Sequence, residues 1–176
     1  MNNKIELKGK CLCGAVKYKL SEKPLFTQAC HCKDCKILTG SSYVINSSIL
    51  ENTLSIEGEI SSTMKLQAGS GKSVKMFFCN KCGSYIYTDY ESAIGRLNVR
   101  TQTLENSKIF IPQAHIFTKD KDEWVNLSNI NNCFEKMYDP KETWPNESLI
   151  RIEEYLNTKL TDQHMIDLRK DYFIKI

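Results

Sequence analysis

The stretch Val74-Lys75-Met76-Phe77-Phe78-Cys79-Asn80-Lys81-Cys82-Gly83 joins an alternating apolar pattern to a Cys-x-x-Cys-Gly pair. Val74, Met76 and Phe78 recur at period two, as in a β-strand with one face in a core. The two cysteines then close a knuckle whose thiolates can converge on one tetrahedral ion, and Gly83 lets the backbone turn through positive φ. Upstream, Met64, Leu66 and Ala68 alternate in the same way until Gly69-Ser70-Gly71-Lys72-Ser73 interrupts them, which predicts a β-hairpin with a flexible turn. The same glycines look superficially like the end of a phosphate loop, but Leu66 stands where its first glycine is required, so nucleotide binding is rejected there.

Working outward, Cys11-Leu12-Cys13-Gly14 supplies a matching half-site, because two cysteines one residue apart on an extended chain point to the same face. Val16, Tyr18 and Leu20 alternate with Lys17 and Lys19 directly after it, the pattern of a half-buried strand. Pairing Cys11 and Cys13 with Cys79 and Cys82 gives a closed four-thiolate site, expected to be a structural zinc. Soft thiolates also suit a rubredoxin-like iron or an iron–sulfur centre, the weaker alternative at this spacing.

The third cluster, Cys30-His31-Cys32-Lys33-Asp34-Cys35, offers three thiolates and no fourth cysteine nearby. Three protein ligands with an open position are the pattern of a catalytic zinc, so Cys30, Cys32 and Cys35 are the candidate catalytic residues. The competing expectation is a second closed site completed by Cys133, His115, His31 or Asp34. His31, between two ligands on an extended segment, is expected to face away from the metal, either touching the ligands or lying on the surface. His115 reads as a structural histidine or as a hydrogen-bond donor beside the open ion. Lys33-Asp34 reads as a polar turn, Cys133 as a buried or incidental thiol, and His164 as a surface residue.

Eight cysteines in 176 residues, with 41% hydrophobic and 26% charged residues, describe one globular domain, at most with an appendage. Residues 1–10 hold no apolar leader and no run is long enough for a membrane span, so a cytoplasmic protein with reduced, metal-binding cysteines is expected. The formal charge of +3 carries no message, since two zinc ions on seven thiolates would bring the total near zero. The lysines are scattered rather than gathered in a basic stripe with interleaved aromatics, which argues against nucleic acid as a partner.

Further strands are expected at residues 85–88, 94–99 and 109–111, and at Ile116 and Phe117, making the first 130 or so residues β-rich. From about Thr143 the period changes: Pro145, Glu147, Leu149, Ile152, Leu156 and Leu160 predict a C-terminal helix. Thr161 and Asp162 can cap a second helix through Met165 and Leu168, or Tyr172–Ile176 can form a terminal strand. Trp124, Phe134, Tyr138 and Trp144 are expected to pack this C-terminal segment rather than to cage a ligand.

The triplet Cys-x-Cys-Gly, Cys-His-Cys-x-x-Cys and Cys-x-x-Cys-Gly, with Phe77-Phe78 before the last knuckle and Gln113-Ala114-His115-Ile116-Phe117 and Trp124 downstream, resembles the glutathione-dependent formaldehyde-activating enzyme family, which also includes centromere protein V. The resemblance covers about residues 7–130. It implies an all-β, Mss4-like zinc-binding fold of the β-sandwich type over residues 7–142, with residues 143–176 as a helical extension. It also implies a structural zinc on Cys11, Cys13, Cys79 and Cys82 and a second zinc on Cys30, Cys32 and Cys35. The implied activity is a carbon-sulfur lyase that reversibly joins glutathione and formaldehyde into S-hydroxymethylglutathione. A free thiol of pKa ~8.5 is mostly protonated at neutral pH, and an open zinc would deprotonate it and hold it beside the aldehyde. A non-enzymatic zinc module with a macromolecular partner, and a thiol or metal sensor, are the rival readings.

Overall fold

The computed structural model describes residues 6–62, 66–67 and 72–159. Its strands are β1 (Leu7–Lys10), β2 (Lys17–Leu20), β3 (Phe26–Cys30), β4 (Val44–Leu50), β5 (Leu54–Glu57), β6 (Ile60–Ser62), β7 (Leu66–Gln67), β8 (Ser73–Cys79), β9 (Tyr85–Tyr90), β10 (Arg96–Arg100), β11 (Ala114–Ile116) and β12 (Cys133–Phe134). Three helices join them: α1 (Lys33–Thr39), α2 (Pro140–Thr143) and α3 (Asn146–Lys159). The fold is thus mostly β with a C-terminal helix, as expected. The proposed second helix, the terminal strand, His164, Met64, Ala68 and residues 69–71 of the hairpin turn lie outside the described residues.

Two sheets form. A three-stranded one runs β1-β2-β5, and a nine-stranded one runs β12-β11-β3-β4-β10-β9-β8-β6, with β7 also paired to β8. Leu66 stands opposite Val74, so the expected hairpin pairing is present in its described part. Val16, Tyr18 and Leu20 are at most 2% exposed and meet Ile49, Ile86, Tyr87 and Val99 of the large sheet, filling the space between the two sheets. Each such aliphatic side chain contributes about 1.5–3 kcal/mol by leaving water. The opposite face of the large sheet is covered by Tyr138, Trp144 and Tyr155, which pack with Leu25, Phe26 and Ile116. Trp144 stacks on Phe26 at 5.6 Å and its Nε1 donates to the Tyr138 hydroxyl at 2.9 Å.

Several expectations need correction. Residues 109–111 are not a strand: residues 107–109 form a 3-10 turn, and Ile109 and Ile111 are 66% and 75% exposed, with no strand beside them and Pro112 unable to donate to a ladder. Trp124 does not pack the C-terminal segment but is 74% exposed, whereas Phe134, Tyr138 and Trp144 do pack it. The C-terminal helix starts where Pro145 and Glu147 place it, as α3, with the Pro145 carbonyl receiving its first amides from Ser148 and Leu149, while the short α2 that ends at Thr143 is an addition the periodicity does not show.

Gly58 seats the first cysteine loop against the small sheet. Its φ is +98°, and a Cβ there would stand 2.1 Å from the Ala15 carbonyl oxygen. Gly58→Ala is expected to lower unfolding stability by about 1–3 kcal/mol, the cost of a strained backbone angle, read as a lower denaturant midpoint. An unchanged midpoint would show that residues 15–16 yield freely.

Candidate metal centres

The loops at Cys11–Gly14 and Cys79–Gly83 are built alike. In each, the first cysteine's carbonyl accepts from the glycine amide, at 3.1 Å from Gly14 and 2.9 Å from Gly83. Both glycines occupy the left-handed region, at φ 74° and 69°, which makes the tight return possible. Ser84 links the two loops: its hydroxyl accepts from the Leu12 amide at 3.0 Å and lies 3.1 Å from Cys82 Sγ. The Val16 amide donates to Cys11 Sγ at 3.2 Å.

The four sulfurs of Cys11, Cys13, Cys79 and Cys82 all lie within 4.8 Å of one another. In a tetrahedron with metal–sulfur bonds of about 2.3 Å, sulfurs stand about 3.8 Å apart. The Cys11–Cys13 and Cys13–Cys79 separations of 3.5 and 3.9 Å fall on either side of that edge. The donor set therefore fits a closed tetrahedral ion. Hydrogen bonds from the Ser84 side chain and backbone pull the Cys82 thiol down to about 5, so this corner is already a thiolate near neutral pH.

Cys30, Cys32 and Cys35 form the second group, again with sulfurs within 4.8 Å of one another. Cys30 ends β3, while Cys32 caps α1 by accepting from the Cys35 amide at 3.4 Å. Lys33-Asp34 is thus the first turn of a helix and not the expected free turn. Asp34 suits the positive end of α1, and Gly40 closes the other end at φ 64°. Hydrogen bonds from Cys30 and Cys35 hold the Cys32 thiol far down, whereas the bond to Cys32 drives Cys30 far up. One thiolate is favoured before any cation arrives, and three together require one.

Among the described residues no fourth protein ligand joins this triad. Asp34 is exposed on α1, and Cys133 is exposed on β12 beside His115. Of the two expectations for Cys133, exposure removes the buried one and leaves the incidental one. His31 is not a surface residue but wholly buried, and its Nε2 lies 2.9 Å from His115 Nδ1. Burial, and then the neighbouring His115, push His31 down to about 4, and burial also lowers His115, so both rings stay neutral. Tyr43 covers the pair, with ring centres 5.0 Å from His31 and 6.3 Å from His115. Lys36 ties α1 to the loop after β11, through Asp122 Oδ1 at 2.6 Å and the Asp120 carbonyl at 2.8 Å.

The surroundings of the triad are apolar on one side and basic on another. Cys30 and Cys35 belong to the same packed cluster as Ile116, Tyr138 and Trp144, with Val44 and Phe117 at its margin. Arg100, only 5% exposed, projects from β10. Cys30 and Gln28 share a sheet face by alternation, and Gln28, Asn46 and Arg100 lie opposite one another across three strands, so Arg100 is on the triad's face. Its Nη1 donates to Asn46 Oδ1, its Nη2 to Thr88 Oγ1 at 3.3 Å, and its guanidinium covers the Tyr85 ring at 3.7 Å. Sequence reading missed Ser84 and Arg100, and it names His31 and His115 without their mutual contact. Only Ser84 carried a local signal, as the residue after Cys-Gly.

A model of the glutathione-dependent formaldehyde-activating enzyme family matches residues 6–120, a span that contains all seven clustered cysteines. Among solved structures, the chain is similar to a Rhodobacter sphaeroides protein, at 20% identity and TM-score 0.45, over 72% of this chain and 98% of that one. No curated protein matches it. The matched span exceeds half of the sequence, and the chain belongs to the glutathione-dependent formaldehyde-activating enzyme family.

Proposed function

We propose that this chain holds two zinc ions and acts as a carbon-sulfur lyase of the S-(hydroxymethyl)glutathione synthase type, with Cys30, Cys32 and Cys35 as its site. The observation that carries the reading is the three-thiolate group that lacks a fourth protein ligand among the described residues, beside a four-thiolate group that has one. In the reaction the glutathione sulfur bonds to the carbonyl carbon of formaldehyde, the C=O double bond opens, and the thiol proton ends on the new hydroxyl.

A zinc ion bound to the triad would act as a Lewis acid that deprotonates a thiol and fixes its sulfur in place. The chain supplies the rest. Cys32, at the start of α1, and Cys30, at the end of β3, fix the three donors on two rigid elements. Phe117, Val44 and Trp144 belong to the apolar cluster beside them, which limits water and strengthens electrostatic contacts. The neutral His31–His115 pair joins the end of β3 to β11 without adding charge next to the thiolates. Cys11, Cys13, Cys79 and Cys82 hold the other ion for folding alone. Among the described residues, no helix is long and apolar enough to cross a membrane.

Two measurements test this. Exchange NMR on a glutathione and formaldehyde mixture, corrected for the spontaneous rate, should show acceleration by the zinc-loaded protein. Cys32→Ala should fall to the background rate and Cys133→Ala should retain the full rate; equal rates in the two variants would contradict the assignment. Separately, Cys82→Ser should lose its cooperative unfolding transition, since a structural zinc site contributes folding energy outright. Cys35→Ser should stay folded with one fewer zinc per chain. Equal folding with equal metal loss in both would refute the division between a structural and a reactive ion.

A further inference from the structure

Arg100 is an unusual group to find in a core. It is 5% exposed, its Nε has no hydrogen-bond partner, and among the described residues no carboxylate pairs with it. Its partners are neutral: the Asn46 amide oxygen, the Thr88 hydroxyl and the Tyr85 ring. Neutral dipoles and a π face offset only part of the cost of burying a full charge, so a guanidinium held this way calls for an anion. The group on the same sheet face that can become an anion is the cysteine triad, through Cys30 at the end of β3, two strands over from β10.

Two features of the fold place Arg100 there. The first is a β-bulge. Between Phe77 and Phe78 the β8–β9 register shifts, so that Phe78 faces Tyr85 while Phe77 faces Tyr87. The extra residue takes Tyr85 out of step with Tyr87, and its hydroxyl meets Thr88 Oγ1 at 2.6 Å, beneath the guanidinium. The fold thus departs from a regular ladder at the place that seats Arg100. The second is the strand register: Asn46, which accepts from Arg100 Nη1, stands opposite Gln28, and Cys30 follows on the same face of β3.

Given the metal reading above, three thiolates and one divalent ion carry one net negative charge, and a substrate thiolate adds a second. We propose that Arg100 is the counter-charge of the three-cysteine centre, a positioning residue that holds the anionic metal–thiolate group and raises its affinity for metal and for a thiol. Without that centre the same arginine is an uncompensated buried charge. The two states therefore differ in the sign of its effect on stability, which a purely packing role would not produce.

The test is a double-mutant cycle on the full chain, with Arg100→Met made in the wild type and in Cys35→Ser. Zinc content, competition with a chromophoric chelator and thermal midpoints are measured for all four proteins. Arg100→Met is expected to weaken zinc binding at the triad by roughly tenfold or more, as for other supporting partners of metal ligands, and to leave the four-cysteine site unchanged. It should lower the midpoint of the loaded protein, yet leave unchanged or raise that of Cys35→Ser, and Arg100→Lys should recover part of the affinity. Equal losses of midpoint in both backgrounds, with triad affinity unchanged, would overturn the counter-charge role while sparing the metal reading. A wild type that binds a single zinc would overturn both. Should Arg100→Met fail to fold, Arg100→Lys against Arg100→Gln makes the same comparison, and equal zinc affinity in that pair would overturn the proposal.

Discussion

The convergence of four sulfurs from two loops far apart in sequence is the constraint on which the remaining architecture depends. Cys11 and Cys13 enter from the end of the small sheet, and Cys79 and Cys82 from the end of β8. A tetrahedral ion admits little error in their positions, so each loop must present its sulfurs at a fixed angle. The paired glycines at positive φ and the bridge through Ser84 meet that requirement. Once the loops are locked together, the small sheet is set over the large one, and Val16, Tyr18 and Leu20 have a place to bury. Convergence of the four thiols and hydrophobic burial therefore reinforce each other.

On the other face of the large sheet the same chemistry is used differently. Here the three sulfurs come from a strand end and a helix start, and among the described residues no fourth cysteine joins them. Segments that follow the family-matched region, with Tyr138, Trp144 and Tyr155, complete the apolar surroundings of this triad. Tyr138 reaches Gln28 on β3, and Tyr155 reaches Glu51 at 2.8 Å, so the C-terminal part of the chain is fastened to the sheet by polar contacts at both ends of the cluster. A triad enclosed in this way has an environment that the matched region alone does not define.

Much of this was legible in the sequence because it rests on local rules. Cys-x-Cys-Gly and Cys-x-x-Cys-Gly announce thiol pairs through spacing alone, and the alternation through Val16–Leu20 and Val74–Phe78 announces strands through period alone. What escaped depended on tertiary partners. The seven residues of α1 are too short for helical periodicity to appear, and the cap that starts the helix is Cys32, a residue not counted among usual cap formers. The facing of Tyr85 depends on a bulge, which no alternation rule foresees. His31 was assigned correctly to the side away from the sulfurs, but its burial required knowing that β11 returns beside β3 and brings His115 with it. Trp124 errs in the opposite direction, because residue type favours burial while its loop lies at the surface.

X-ray absorption at the zinc edge of the purified protein tests most directly the pairing of one closed and one open thiolate site in the same chain. The expected result is two zinc ions per chain, with an averaged shell of between three and four sulfurs at about 2.3 Å and a remaining share of a lighter atom. Adding glutathione should complete the average to about four sulfurs as the lighter atom leaves. One zinc per chain with four sulfurs, unaltered by glutathione, would contradict that pairing.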